Sequence, residues 1–310
     1  MLNIIHKGEK KMKKIISLVL VLALVLVALV ACGASANEEK NYTLALAVDT
    51  AISKGKVSNT AMALVLDADN KIVAARVDCV EAKPELDAEG ALVTKDSVAT
   101  KVELGAEYTG MTAGSWAEQA KAFENWLVGK TAADVAGTEF TKELIAGCTM
   151  TSSMATFKAL VAEACASANK VTFKTADTVT VGLALDTAVK SSRSGGAAVS
   201  TDVAVVAIAG GKVVATAIDS IEQSFAITDG ALVAGDLSAS KTEQGDSYTM
   251  PAGSWTKQAK AFADSTVGKT VAELNDLETV SDALAAAGCT MKNTTAGYKA
   301  TIIKAASYAK

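Results

Sequence analysis

The chain is poor in the residues that most enzymes and metal sites rely on. It has one histidine, His6, two prolines, and only 5% aromatic residues among 310. Two prolines and 22 glycines exclude a collagen-like or proline-rich chain. The cysteines are five, with no CxxC pair, so neither a zinc ribbon nor a redox dithiol is indicated. The single histidine lies near the N-terminus, in a stretch that reads as a leader. A mature chain without histidine has no Ser-His-Asp or Cys-His machinery and no histidine-ligated zinc or haem. No general base of suitable pKa is evident, so the expectation is a carrier or binder and not an enzyme. Positive charge is also scarce outside the leader. Residues 1–31 hold five of the 30 basic residues and one of the 34 acidic ones; the remainder therefore carries −8, against −4 for the whole chain. That balance argues against a nucleic-acid surface. It points to no nucleic-acid partner.

What is present begins with an address. Lys13 and Lys14 precede an apolar run from Ile15 to Ala31, interrupted only by Ser17, and the run ends Leu29-Val30-Ala31-Cys32-Gly33. A basic segment, an apolar segment and small residues make a secretory signal. The Leu-Val-Ala-Cys ending resembles a bacterial lipobox. The resemblance implies cleavage before Cys32, a diacylglycerol on its sulfur, and anchoring to the outer face of the cytoplasmic membrane. A plain transmembrane anchor would run somewhat longer and leave Cys32 without a role. Lys7-Gly8-Glu9 can be encoded by a purine run that serves as a ribosome-binding sequence, so translation is expected to start at Met12. Residues 32–40 are small and polar and read as a tether.

The rest reads as one unit written twice. Asp49-Thr50-Ala51 matches Asp186-Thr187-Ala188, and Lys71 with Asp78 matches Lys212 with Asp219. Lys101-x-Glu103-x-Gly105-x-x-Tyr108-Thr109 matches the segment from Lys241 to Thr249. Ala113-Gly-Ser-Trp116-x-x-Gln119-Ala-Lys-Ala-Phe123 matches Ala252 to Phe262, and Gly147-Cys148-Thr149-Met150 matches Gly288-Cys289-Thr290-Met291. The expected repeat domains are 41–168 and 176–310, joined by a connector around 169–175, each with its own core.

Within a unit, Thr43–Asp49, Ala61–Leu66 and Lys71–Asp78 read as strands, with a hairpin turn at Asp67-Ala68-Asp69-Asn70 and its counterpart at Ala209-Gly210-Gly211. Ser115-x-x-Glu118 is a capping box opening a helix through about Leu127, stopped near Gly129. Thr131-x-x-Asp134 and Thr270-x-x-Glu273 open a second short helix. A last helix is expected over about 152–168 and 295–309. Strands first and helices later give an α+β fold, with helices packed on an antiparallel sheet.

The segment Ala146-Gly147-Cys148-Thr149-Met150-Thr151-Ser152 resembles the signature of the small FMN-binding domain, roughly Asp-x-x-Ser-Gly-Ala-Thr-x-Thr-Ser followed by a helix. In that family the threonine after the small residue can carry FMN through a phosphoester, attached by a flavin transferase. The resemblance implies that Thr149, with Gly147 and Cys148, and Thr290, with Gly288 and Cys289, are the cofactor-binding turns, with Glu143 standing for the aspartate. It implies cell-surface electron transfer with a redox partner. A helix N-terminus presents free N–H groups suited to a phosphate. Cys148 and Cys289 replace the alanine, Ala146 and Ala287 the serine, and Leu284 stands where the second copy lacks the acid. In this reading Tyr108 with Trp116, and Tyr248 with Trp255, would wall the flavin ring by stacking; the alternative is that the tryptophans pack into the core. Lys101/Glu103 and Lys241/Glu243 read either as a polar ligand cluster or as exposed ion pairs; an exposed pair contributes only about 0–1 kcal/mol, and that plainer reading is preferred. Cys79 with Cys165 or Cys148 would allow a disulfide, although buried free thiols are the simpler reading. The other functional class is a non-redox binding or structural module of the cell envelope with no cofactor.

Overall fold

A computed structural model describes residues 38–108, 111, 114–292 and 294–309. The leader, Cys32 and most of the tether lie outside the described residues. Lys40 to Lys310 make up one compact unit.

Its frame is two antiparallel sheets. In the first, β1 (Lys40–Ser53), β2 (Lys56–Leu66), β3 (Ile72–Ala82) and β7 (Lys170–Thr175) are ordered β3-β2-β1-β7. In the second, β6 (Lys95–Val98), β8 (Val179–Ser191), β9 (Ala197–Ala209), β10 (Lys212–Thr228) and β11 (Ala231–Ala234) are ordered β11-β10-β9-β8-β6. Two minimal ribbons accompany them, β4 (Glu85–Leu86) with β5 (Leu92–Val93), and β12 (Thr249–Met250) with β13 (Gly253–Ser254). The strands run longer than their sequence cores. β1 continues through Thr50-Ala51-Ile52 to a tight turn in which Lys54 and Gly55 both have positive φ, 53° and 73°. The Asp67–Asn70 turn forms as its residues dictate: Asp67 N–H donates to Lys71 O at 2.9 Å and Asn70 takes a φ of 58°.

Side-chain alternation divides each strand between two cores. Leu44, Leu46, Val48, Ala61, Ala63 and Val65 face Val181, Leu183, Leu185, Val203, Val205 and Ala207 of the other sheet. Their neighbours Ala45, Ala47, Met62 and Leu64 face the helices of the first half, and Ala184, Ala204 and Val206 face those of the second. The layers are therefore helices, sheet, sheet, helices, an α+β arrangement. Each half has a helix–sheet core of its own, and the inner faces share a third. A buried leucine or valine contributes about 1.5–3 kcal/mol, so the shared layer is a large part of what holds the two sheets together. The expected connector is itself structural: β7 pairs with β1 from Lys40↔Thr175 to Ala45↔Lys170. β6, from the first half, pairs with β8 of the second.

Helices cover the outer faces. Trp116–Leu127 lies over β3, Met154–Ala166 over β1 and β2, Trp255–Asp264 over β10, and Thr295–Ser307 over β8 and β9. The Ser115/Glu118, Thr131/Asp134 and Thr270/Glu273 capping boxes all form. The last helix of the first half starts later than expected, at Met154, after a 3-10 turn over Thr151–Ser153. Gly182 lets the final helix approach β8, because a Cβ there would sit 1.8 Å from the Ala305 carbonyl oxygen.

Candidate functional site

The two Gly-Cys-Thr turns are held by the same device in both halves. Gly147 and Gly288 have φ of 82° and 100°, which an L side chain adopts only with strain. Cys148 and Cys289 turn inward and are buried. Thr149 donates its backbone N–H at 2.7 Å and its hydroxyl at 3.0 Å to Gln119 Oε1. Thr290 donates the same two groups, each at 2.9 Å, to Gln258 Oε1. Both glutamines are fully buried, one helical turn after Trp116 and Trp255. The structure therefore brings the turn and the tryptophan helix together, through a residue that the sequence reading quoted but did not single out. Its signal was there: a glutamine repeated on the apolar face of both helices, where a buried amide needs a partner.

The tryptophans lie in the core. Trp116 and Trp255 are 3% and 2% exposed. Trp116 meets Phe157 edge-on at 6.4 Å between ring centroids, and Trp255 meets Tyr298 at 6.0 Å while its Nε1–H donates to the Tyr298 hydroxyl at 3.0 Å. An indole so placed offers no face for a flavin ring, and core packing accounts for it. Tyr108 is half-buried and Tyr248 more exposed. Each stands beside a lysine: Lys101 Nζ lies 4.8 Å from the Tyr108 ring and 5.9 Å from Trp116, and Lys241 Nζ lies 5.4 Å and 5.5 Å from Tyr248 and Trp255. These cation–π contacts set a lysine over each tyrosine ring.

The expected Lys101/Glu103 pair does not form. Lys101 reaches Glu81 at 2.8 Å, whereas Glu103 caps its own short helix through Thr100 and bonds Lys304 at 2.7 Å. A lysine and a glutamate two residues apart on a helix point to different sides, so each finds another partner. Glu243 caps Ser240 in the same way. Burial opposes the charge on Lys101, but its neighbours Cys79, Glu81 and Tyr108 win and raise its pKa. For Lys241 burial wins and the pKa falls.

Beneath these lysines lie two matched buried carboxylates. Asp78 Oδ1 accepts from Cys79 N–H at 2.7 Å and Val102 N–H at 3.1 Å; Asp219 Oδ1 accepts from Ser220 N–H at 2.8 Å and Thr242 N–H at 3.1 Å. Burial pushes both up to about 6, against the lowering effect of those bonds. They clasp the short helices to β3 and β10. Cys79, Cys148, Cys165 and Cys289 are all free thiols, each raised by burial and therefore protonated near neutrality. Among the described residues no group of His, Cys, Asp or Glu is arranged to hold a metal ion. No helix among them is long and apolar enough to cross a membrane. Comparison with protein-family models, with curated proteins and with solved structures finds no match.

Proposed function

We propose that the chain is an exported lipoprotein, anchored through Cys32, in which two copies of one α+β unit are fused, and that it serves as a non-redox binding module of the cell envelope. The observation that carries this reading is the Gln119–Thr149 clasp and its copy, Gln258–Thr290. It gives the repeated threonine a structural role in each half, joining turn to helix. The buried tryptophans support the same reading. Duplication is supported by the repetition of the clasp, of the buried aspartates and of the lysine–aromatic contacts at matching positions.

Flavin carriage is the second reading, favoured by the position of Thr149 and Thr290 at partly exposed turns ahead of helices. One experiment separates the two. Protein purified from its native host should be colourless and show no in-gel flavin fluorescence after denaturation. Fluorescence that disappears with Thr149→Ala or Thr290→Ala would overturn the binding-module reading and restore a flavin transferase and a redox partner. In parallel, Cys32→Ala should abolish labelling by a fatty-acid analogue, because stable anchoring requires the acyl chains placed there.

A further inference from the structure

The outer edges of β3 and β10 differ in one respect that leaves a space. On β3, the partly buried Arg76 and the buried Glu124 form an ion pair at 3.2 Å. Arg76 also donates to Ala75 O at 2.8 Å, and Glu124 accepts the Val77 N–H at 3.0 Å and lies 3.7 Å from Lys121. The pair fills the gap between strand edge and helix. On β10 the matching residues are Ala217 and Ala263, while Val77 is matched by Ile218 and Lys121 by Lys260. Where the first half has a guanidinium and a carboxylate, the second has two methyl groups. A cavity of about 400 Å³ opens there, lined by Val171, Thr216, Ala217, Ile218, Ala259 and Ala263. That is within the range of small-molecule sites.

The walls set the chemistry of an occupant. The floor is apolar. At one end Asn169 closes the cavity, its Nδ2–H donating to Ile218 O at 3.1 Å. In an antiparallel strand a residue's C=O and N–H face the same side, so the Ile218 N–H also faces the cavity. Its counterpart, Val77 N–H, is satisfied by a carboxylate. The rim carries Lys257 and Lys260, both exposed, with Asp246 3.4 Å from Lys257. Lys260 is now held by Asp264, one turn along its helix, at 2.6 Å. Such an exposed pair is worth about 0–1 kcal/mol and exchanges readily.

We infer that this cavity binds a small carboxylic acid with an apolar body. Its carboxylate takes the place that Glu124 occupies in the first half, on the Ile218 N–H and beside Lys260, and its hydrocarbon lies on Ala217 and Ala263. The inference gives the binding-module reading a ligand class and rests on it.

The test is calorimetric titration of the full chain with 3-phenylpropionate and with its uncharged amide. The acid should bind at least about tenfold more tightly than the amide, since the site offers donors and positive charge. The double variant Ala217→Arg/Ala263→Glu rebuilds the first half's ion pair in the second and should abolish binding. Lys257→Gln/Lys260→Gln changes only exposed residues and should weaken the acid several-fold while leaving the amide unaltered. Circular dichroism establishes that each variant is folded. Equal affinity for acid and amide, acid binding that survives in the folded, filled variant, an unchanged affinity in the lysine variant, or no binding of the acid at millimolar concentration would each overturn the inference. A fluorescent, flavin-bearing native protein sinks the binding-module reading instead, so the two failures are distinguishable.

Discussion

Asn59 on β2 and Thr201 on β9 occupy the same register position in their respective sheets, and they touch. Asn59 Nδ2–H donates to Thr201 Oγ1 at 2.7 Å across the layer between the sheets. Asn59 stands between Thr50 and Val80; Thr201 stands between Thr187 and Ile221, the residues that match them. Contact between equivalent residues is what a two-fold axis produces in a symmetric dimer. Here it falls within one chain.

That contact has a measurable consequence. Thr201 also shares a hydrogen bond with Thr187 at 2.8 Å, so Thr201→Val strips partners from both neighbours. A buried donor left unsatisfied costs about 1–3 kcal/mol, and the urea midpoint should fall accordingly. Asn59→Val should cost less, because it also removes the buried Asn59 Oδ1, an acceptor without a partner. The double variant should be more stable than the sum of the singles by about 1 kcal/mol. Additivity to within about 0.5 kcal/mol would show that the pair is not coupled and that the layer is held by its apolar side chains alone.

The buried aspartates make stability depend on pH in an unusual direction. Asp78 and Asp219 are pushed from 3.8 up to about 6 by burial. Each holds its proton more tightly in the folded chain than in the unfolded one. Their contribution is therefore full below about pH 4 and declines as the pH rises through 6. Asp49, Glu124, Glu163 and Asp202 are raised as well and act in the same direction. The shift at each of the two aspartates corresponds to something on the order of 2–3 kcal/mol. Urea midpoints should thus be lower at pH 7 than at pH 5. In Asp78→Asn/Asp219→Asn the amide oxygen can still accept the same backbone N–H groups, and much of that decline should vanish. A double variant whose midpoint falls between pH 5 and 7 as steeply as the wild type would locate the effect elsewhere.

How much of this was legible in the sequence follows from how local each determinant is. The Ser115/Glu118 and Thr131/Asp134 caps and the Asp67–Asn70 turn need only residues a few positions apart, and all form as read. The stacking of the sheets was not legible. With both faces of β1 and β2 buried, one against helices and one against the other sheet, the strands present near-continuous apolar runs, and such runs do not say what covers them. The same blindness made β7 read as a connector. At the site, the Gly-Cys-Thr turns were found, but their partner was not, because Gln119 lies 30 residues from Thr149 and is brought to it only by helix–sheet packing. Lys101 and Glu103 were paired by proximity along the chain, whereas their real partners, Glu81 and Lys304, come from β3 and from the far end of the protein.

The two-fold relation is broken again at Lys304, and this break predicts a stabilising substitution. Lys304 Nζ lies 2.7 Å from Glu103 Oε1 and 2.7 Å from Asp186 Oδ1, bridging an acid from each half. The positions that match Lys304, Glu103 and Asp186 are Glu163, Glu243 and Asp49. Where one end has a cation between two acids, the other has a third acid. Burial raises Glu163, and Glu243, Asp49 and Asp219 raise it further. Glu163→Lys should relieve that repulsion and supply the missing bridge. Partly exposed pairs contribute about 0–1 kcal/mol each, so a gain of roughly 1–2 kcal/mol is expected, or a few degrees in Tm for a chain of this size. Glu163→Gln relieves the repulsion without making the bridge and should give a smaller rise. Both gains should shrink in high salt, which screens charges at this exposure. Melting curves at pH 7 in low and high salt decide the matter. A Glu163→Lys protein that melts no higher than Glu163→Gln would mean that the lysine does not reach Glu243 and Asp49. If neither variant melts above the wild type, the three acids are not close enough to repel one another.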